Sequence, residues 1–151
     1  MRTIVTKTWL RNTVIAAALA GILSGIPSTV WAFVAGTDPW EATIAAGAVV
    51  VGTDAPFASL ISAATVVHGS MSLFWAGVLC ASLPRRRPIA WGVIAGALIA
   101  VLDILIIGRF LPAIRDLAFL PQLADHLMFG AVVGAVVFVS QRKDRSQTAE
   151  E

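Results

Sequence analysis

The stretch Leu120–Gln141 reads LPQLADHLMFGAVVGAVVFVSQ, and whether it crosses a membrane decides how the chain folds. Its uncharged part, Leu127–Ser140, would reach only about 21 Å as an α-helix, short of a hydrocarbon core of about 30 Å. A crossing therefore has to begin near Leu120 or Pro121, where a proline gives up an N–H that has no helical partner in any case. Asp125 and His126 then fall inside the outer leaflet. One reading creates both a crossing and a polar site.

Three further stretches are long enough without that ambiguity. No charge lies between Arg11 and Asp38, His68 is the only ionisable group from Ala55 to Leu83, and Asp103 is the only charge from Pro88 to Gly108. The sequence predicts an all-α chain, a transmembrane four-helix bundle with spans at about 12–35, 56–83, 88–108 and 120–141, in one membrane domain with a short tail from residue 142. Of 151 residues 58% are hydrophobic and 13% charged, with a mean hydropathy of +0.84, whereas soluble domains carry about 25% charged residues. Four spans leave only loops and tails, so no separate soluble domain fits. A single cysteine, Cys80, excludes an intramolecular disulfide.

Nine of the eleven bases share one side of this arrangement: Arg2, Lys7 and Arg11, then Arg85, Arg86 and Arg87, then Arg142, Lys143 and Arg145. Only Arg109 and Arg115 fall in the opposite loops. The positive-inside rule then puts both termini in the cytoplasm and makes the arginine triplet a cytoplasmic loop rather than a nucleic-acid contact. Trp9 and Trp91 sit near the inner interface, Trp31 and Trp40 near the outer one. Between spans one and two, Ala42–Val51 is too short to cross, and Asp38, Pro39, Trp40 and Glu41 read as its helix start with Asp38 as the capping carboxylate. A short re-entrant or interfacial helix is expected there. The basic start, the run Val14–Ile26, Pro27 and the small residues up to Ala32 also resemble a cleaved signal peptide, but the apolar run continues past that site for a full span.

Small residues at four-residue spacing share one helical face and let backbones approach closely. Span one offers Ala17, Gly21, Gly25 and Thr29, span three Gly92, Gly96 and Ala100, and span four Gly130 and Gly134. Polar residues continue these seams toward the outside. Asp103 follows Ala100, His126 precedes Gly130, and Ser62, Thr65, His68, Gly69 and Ser72 form a stripe on span two, all expected to face the interior. By helix rise, His68 lies about 16 Å below the outer boundary and Asp103, Asp125 and His126 about 7 to 9 Å below it.

An ionisable group inside a span costs a few kcal/mol and is a functional hypothesis by default. His68, Asp103, Asp125 and His126, with Thr65, Ser72 and Gln122, are therefore the candidate pocket for a small ligand, a lipid headgroup or protons. The plainer account is that His68 bonds Asp103 or Asp125 and ties helices together. No HxxxH or ExxH spacing points to a metal, and Asp125 and His126 diverge by about 100° on a helix. Below the cluster no ionisable group continues a relay inward. Arg109 and Arg115, in a loop alternating bases with apolar residues, suit lipid phosphates or a substrate anion, or pairing with Asp103, Asp116 or Asp125. No Ser-His-Asp order, HExxH or phosphate loop marks an enzyme, and no cofactor is implied. The partners expected are the bilayer and, for an accessory subunit whose seams dock outward, another membrane protein or a second copy.

Ser24-Gly25-Ile26-Pro27-Ser28-Thr29, Asp38-Pro39-Trp40-Glu41-Ala42-Thr43, Pro84-Arg85-Arg86-Arg87-Pro88 and Gln122-Leu123-Ala124-Asp125-His126 together resemble a group of small bacterial four-helix integral membrane proteins, uncharacterised as to activity. The resemblance covers most of the chain and implies a bacterial plasma-membrane location and nothing catalytic.

Overall fold

Leu23 ends the first helix because Pro27 stands four residues further on, where its ring crowds the Leu23 carbonyl and supplies no N–H to it. The computed structural model describes the backbone of residues 2–149 and the side chains of residues 8–143. In it α1 (Arg2–Leu23) stops at this point, and α2 (Ile26–Ala35) resumes after Ser24 and Gly25 with Pro27 in its first turn. The side chains of Arg2, Lys7 and Arg145 lie outside the described residues. Gly36, left-handed at φ 68°, closes α2.

α3 (Glu41–Val51) begins two residues later than the expected proline start. Asp38 closes a turn instead, its Oδ1 accepting from the Trp40 N–H at 2.9 Å. α4 (Phe57–Ser82) follows, then α5 (Pro88–Ala100). The third span is not a uniform α-helix: Val101–Ile106 form a π-helical turn and Ile107–Arg109 a 3₁₀ turn. α6 (Pro112–Arg115) is a single turn. α7 (Phe119–Ala149) runs unbroken through the stretch that decides the fold.

Four segments are long and apolar enough to cross a membrane: Thr8–Ala35, interrupted at Ser24–Gly25, Phe57–Ser82, Pro88–Arg109 and Phe119–Lys143. α5 lies along α7, α1 packs against α4 and α7, and α3 covers part of α4. The contacts fix which ends meet. Asn12 Nδ2 donates to Ser140 Oγ at 2.8 Å and the Trp9 indole to the Gly77 carbonyl at 3.3 Å, so the bases flanking these helices gather at one end. α3 and α6 lie at the other.

The core is small-sided: Ala16, Ala20, Ala76, Leu79, Phe129 and Val133 are buried together. Meanwhile Ile22, Phe33 and Val34 are 75%, 72% and 81% exposed on the outside. Such an apolar exterior is what lipid solvates and water does not. Between the helices, glycines replace side-chain interdigitation with backbone contact. A Cβ on Gly92 would overlap the Gly130 carbonyl, one on Gly96 the His126 carbonyl, one on Gly130 the Gly92 carbonyl, and one on Gly134 would lie 2.6 Å from the Pro88 oxygen. The seams of spans three and four are thus occupied by each other. Gly21 sits against Ser72, but Gly25 meets nothing within 4 Å and marks the helix break rather than a packing seam.

Gly47 presses on the Leu60 backbone. Gly47→Leu is expected to lift α3 from α4, raising proteolysis between Gly36 and Ala55 several-fold while helix content by circular dichroism changes little. Unchanged cleavage would show that the contact does not hold α3.

Candidate functional site

A broken helix exposes donors at one new end and acceptors at the other, and in a low-dielectric surrounding they must find partners. Both kinds are met from neighbouring spans. The Ser28 N–H, in the first turn of α2, donates to Asp125 Oδ1 at 2.9 Å, placing a carboxylate at a helix N-terminus, where the dipole favours it. The Gly21 carbonyl, in the last turn of α1, faces His68 Nε2 at 2.8 Å. A carbonyl only accepts, so this ring nitrogen carries the proton. Ser28 and Thr29 hydroxyls both turn back on the Gly25 carbonyl, at 3.2 and 2.7 Å. His68 therefore bonds backbone, not Asp103 or Asp125.

The divergence of Asp125 and His126 has a use. Asp125 reaches the break in span one, while His126 reaches the π turn of span three, its Nε2 lying 3.5 Å from Asp103 Oδ2. His126 Nδ1 is held by the Gln122 carbonyl of its own helix at 2.8 Å. Gln122 takes part through its backbone. The π turn adds a residue to the helix face and swings Asp103 toward α7; such turns mark functional sites more often than ordinary helix does. The Asp103 side chain remains 37% accessible, and its carboxylate has no other polar partner among the described residues.

The polar stripe of span two does not face inward as a whole. Ser72 is buried against Gly21, but Ser62 and Thr65 are exposed and donate to the Ala58 and Ile61 carbonyls of their own helix. Ser70 does the same with Val66. Thr65 thus spends its hydroxyl proton on its own helix rather than on Asp103 or His126. In the loops, Arg115 Nε pairs with Asp116 at 3.1 Å, both exposed, and contacts neither Asp103 nor Asp125. Arg109 is exposed at the end of the 3₁₀ turn. Among the described residues no three His, Cys, Asp or Glu side chains converge as a metal site would require.

Two features escape the sequence. Asn12 and Ser140 join spans one and four across 128 positions. The arginine triplet shares a cleft with Phe138, Gln141 and Arg142. Their only sequence signal is polarity at the ends of apolar runs, which topology alone would explain. No family model, no curated protein and no solved structure matches the chain. What the site can do is therefore set by its own geometry.

Proposed function

We propose that the chain is a multi-pass integral membrane protein of a bacterial plasma membrane. In this reading it forms a four-helix bundle with both termini cytoplasmic and α3 as a re-entrant or interfacial helix, and its outward-facing polar pocket takes up a proton or a small hydrogen-bonding ligand at Asp103 and His126. The joined ends of α1 and α7, together with the bases around them, support the orientation. The placement of α3 against α4 and α6, at the end away from those bases, supports its role.

The observation that carries the site is a proton count. His126 Nδ1 faces a carbonyl and must bear a proton, so in a neutral ring Nε2 is a bare acceptor. A carboxylate 3.5 Å away is an acceptor as well. The two attract each other only when one further proton sits on either, or when a ligand donates to both. His68 Nε2 and Asp125 Oδ1 are already engaged by the broken helix, which leaves Asp103 and His126 as the centre of the pocket.

Nitrogen NMR of the two histidines, in nanodiscs across a pH range, tests this directly. Asp103→Asn is expected to move the His126 ring-nitrogen signals, because it removes the carboxylate 3.5 Å from Nε2, and to leave the His68 signals in place. His126 ring-nitrogen signals indifferent to Asp103→Asn would sink the reading. The alternative is an accessory subunit without chemistry of its own. The exposed Ser62, Thr65 and Gly69 on α4 favour it, whereas the glycine seams, being filled within the chain, do not. Mild crosslinking at native expression separates the two readings, since a lone monomer has nothing to serve.

A further inference from the structure

The turn between α4 and α5 ends in an unusual backbone. Arg87 is the only described non-glycine residue with positive φ, at 58°. That conformation costs about a kcal/mol for a side chain with a Cβ and persists where the surroundings hold it. Here it sits directly before Pro88, as the cap of α5, and the turn wraps Arg85, Arg86 and Arg87 around the start of that helix.

Those three side chains do not simply radiate into water. With Arg142, Gln141 and Phe138 from α7 they line an open cleft of about 820 Å³. Arg142 lies over the Phe138 ring, 5.3 Å from its centre, which fixes the guanidinium at the cleft wall. Four arginines thus share one concavity, and among the described residues no acidic side chain lines it and none of the four has an ion-pair partner. Mutual repulsion would splay such a set unless an anion sat between them. Guanidinium groups match phosphate oxygens in paired hydrogen bonds, and the first turn of α5 adds a positive dipole end. The lining residues that lead into the two spans, Ile89 and Ala90 on α5 and Phe138 on α7, are apolar.

A cleft that is basic at its mouth and apolar toward the spans fits a phosphodiester with acyl chains below it, rather than a freely soluble phosphate. We propose that this cleft, at the basic end between α5 and α7, binds the headgroup of an anionic phospholipid. The inference rests on the four long helices crossing a bilayer. Of the two conceivable sources of a phosphate group it commits to the lipid.

Native mass spectrometry on the full chain in detergent tests it, with equal amounts of phosphatidylglycerol and phosphatidylcholine offered and soluble glycerophosphate added as competitor. Phosphatidylglycerol should be retained about tenfold over phosphatidylcholine, and glycerophosphate should not displace it at equal concentration. Joint Arg86→Gln and Arg142→Gln should lower phosphatidylglycerol retention about tenfold and leave phosphatidylcholine unchanged. The Lys pair at the same positions should recover only part, because an ammonium lacks the guanidinium fork. Arg11→Gln, at the same end but outside the cleft, should change retention less than twofold. Equal retention of the two lipids, or a Gln pair that binds like the unmodified chain, overturns the proposal; displacement by glycerophosphate overturns the lipid as source. Were the Gln pair not to fold, the lipid ratio and the competition on the unmodified chain decide alone. Extraction of the chain from membranes by alkaline carbonate would mark a failure of the membrane reading instead.

Discussion

Gly130→Val is expected to abolish the native packing of α5 on α7, and Gly130→Ala to cost about 1–3 kcal/mol, the range for overpacking a tight site. The reason lies in what the new Cβ would meet. Around Gly130 the obstacle is the Gly92 carbonyl and the Gly96 backbone, not the end of a flexible side chain, so nothing can rotate away. Gly92 and Gly96 face the same constraint from the α5 side, and Gly134, one turn along α7 from Gly130, meets the Pro88 and Ile89 backbone. Inside a bilayer no hydrophobic gain draws two helices together, since lipid tails are as apolar as leucine. Close backbone approach, with its dispersion and Cα–H···O contacts, supplies the association. Separating the axes to admit an isopropyl group forfeits most of it along the whole pair.

The contrast within the chain makes the test sharp. A methyl group added at Gly25 or Gly69 would meet nothing within 4 Å, so Gly25→Ala and Gly69→Ala should change stability by less than about 0.5 kcal/mol, the range of substitutions away from special features. Reversible unfolding in mixed micelles, followed by tryptophan fluorescence, measures both sets on one scale. Equal losses at Gly25, Gly69 and Gly130 would show that the close approach of α5 and α7 contributes nothing particular.

This difference among glycines also marks how far the sequence can be read. Four long apolar helices, and the start of the last near Leu120, follow from length, hydropathy and charge, which are local properties of the chain. Gly25 and Gly130 share a spacing pattern, yet one sits at a break and the other at a contact. Spacing defines a helical face but not what lies opposite it. The stripe on span two misleads for a related reason. A serine or threonine in a helix can satisfy its hydroxyl on the carbonyl four residues back, as Ser62 and Thr65 do, so polarity alone does not turn that face inward. The π turn at Asp103 has no local signature at all. Pro27 is visible, and its effect on Leu23 is predictable, but the partner for the Ser28 N–H comes from Asp125, 97 positions away.

That long-range partnership yields the second large effect. Asp125→Leu is expected to destabilise the chain by about 2 kcal/mol, within the range for leaving a donor shielded from water, here the half-buried Ser28 N–H, without an acceptor. Asp125→Asn, which keeps an acceptor oxygen at the same reach, should lose less than half of that. The informative measurement is the same pair of substitutions in a Pro27→Ala background. Alanine restores an N–H opposite the Leu23 carbonyl and removes the ring that forbids helix there, so α1 and α2 can join and the Ser28 N–H can return to the Ser24 carbonyl. Asp125 would then have no orphan to serve, and Asp125→Leu should cost under about 1 kcal/mol, giving a coupling energy well outside the additivity expected of unrelated sites. If Asp125→Leu costs as much with alanine at position 27 as with proline, the carboxylate is not acting on the broken helix. Its burial beside His126 would then have to be explained by the pocket alone.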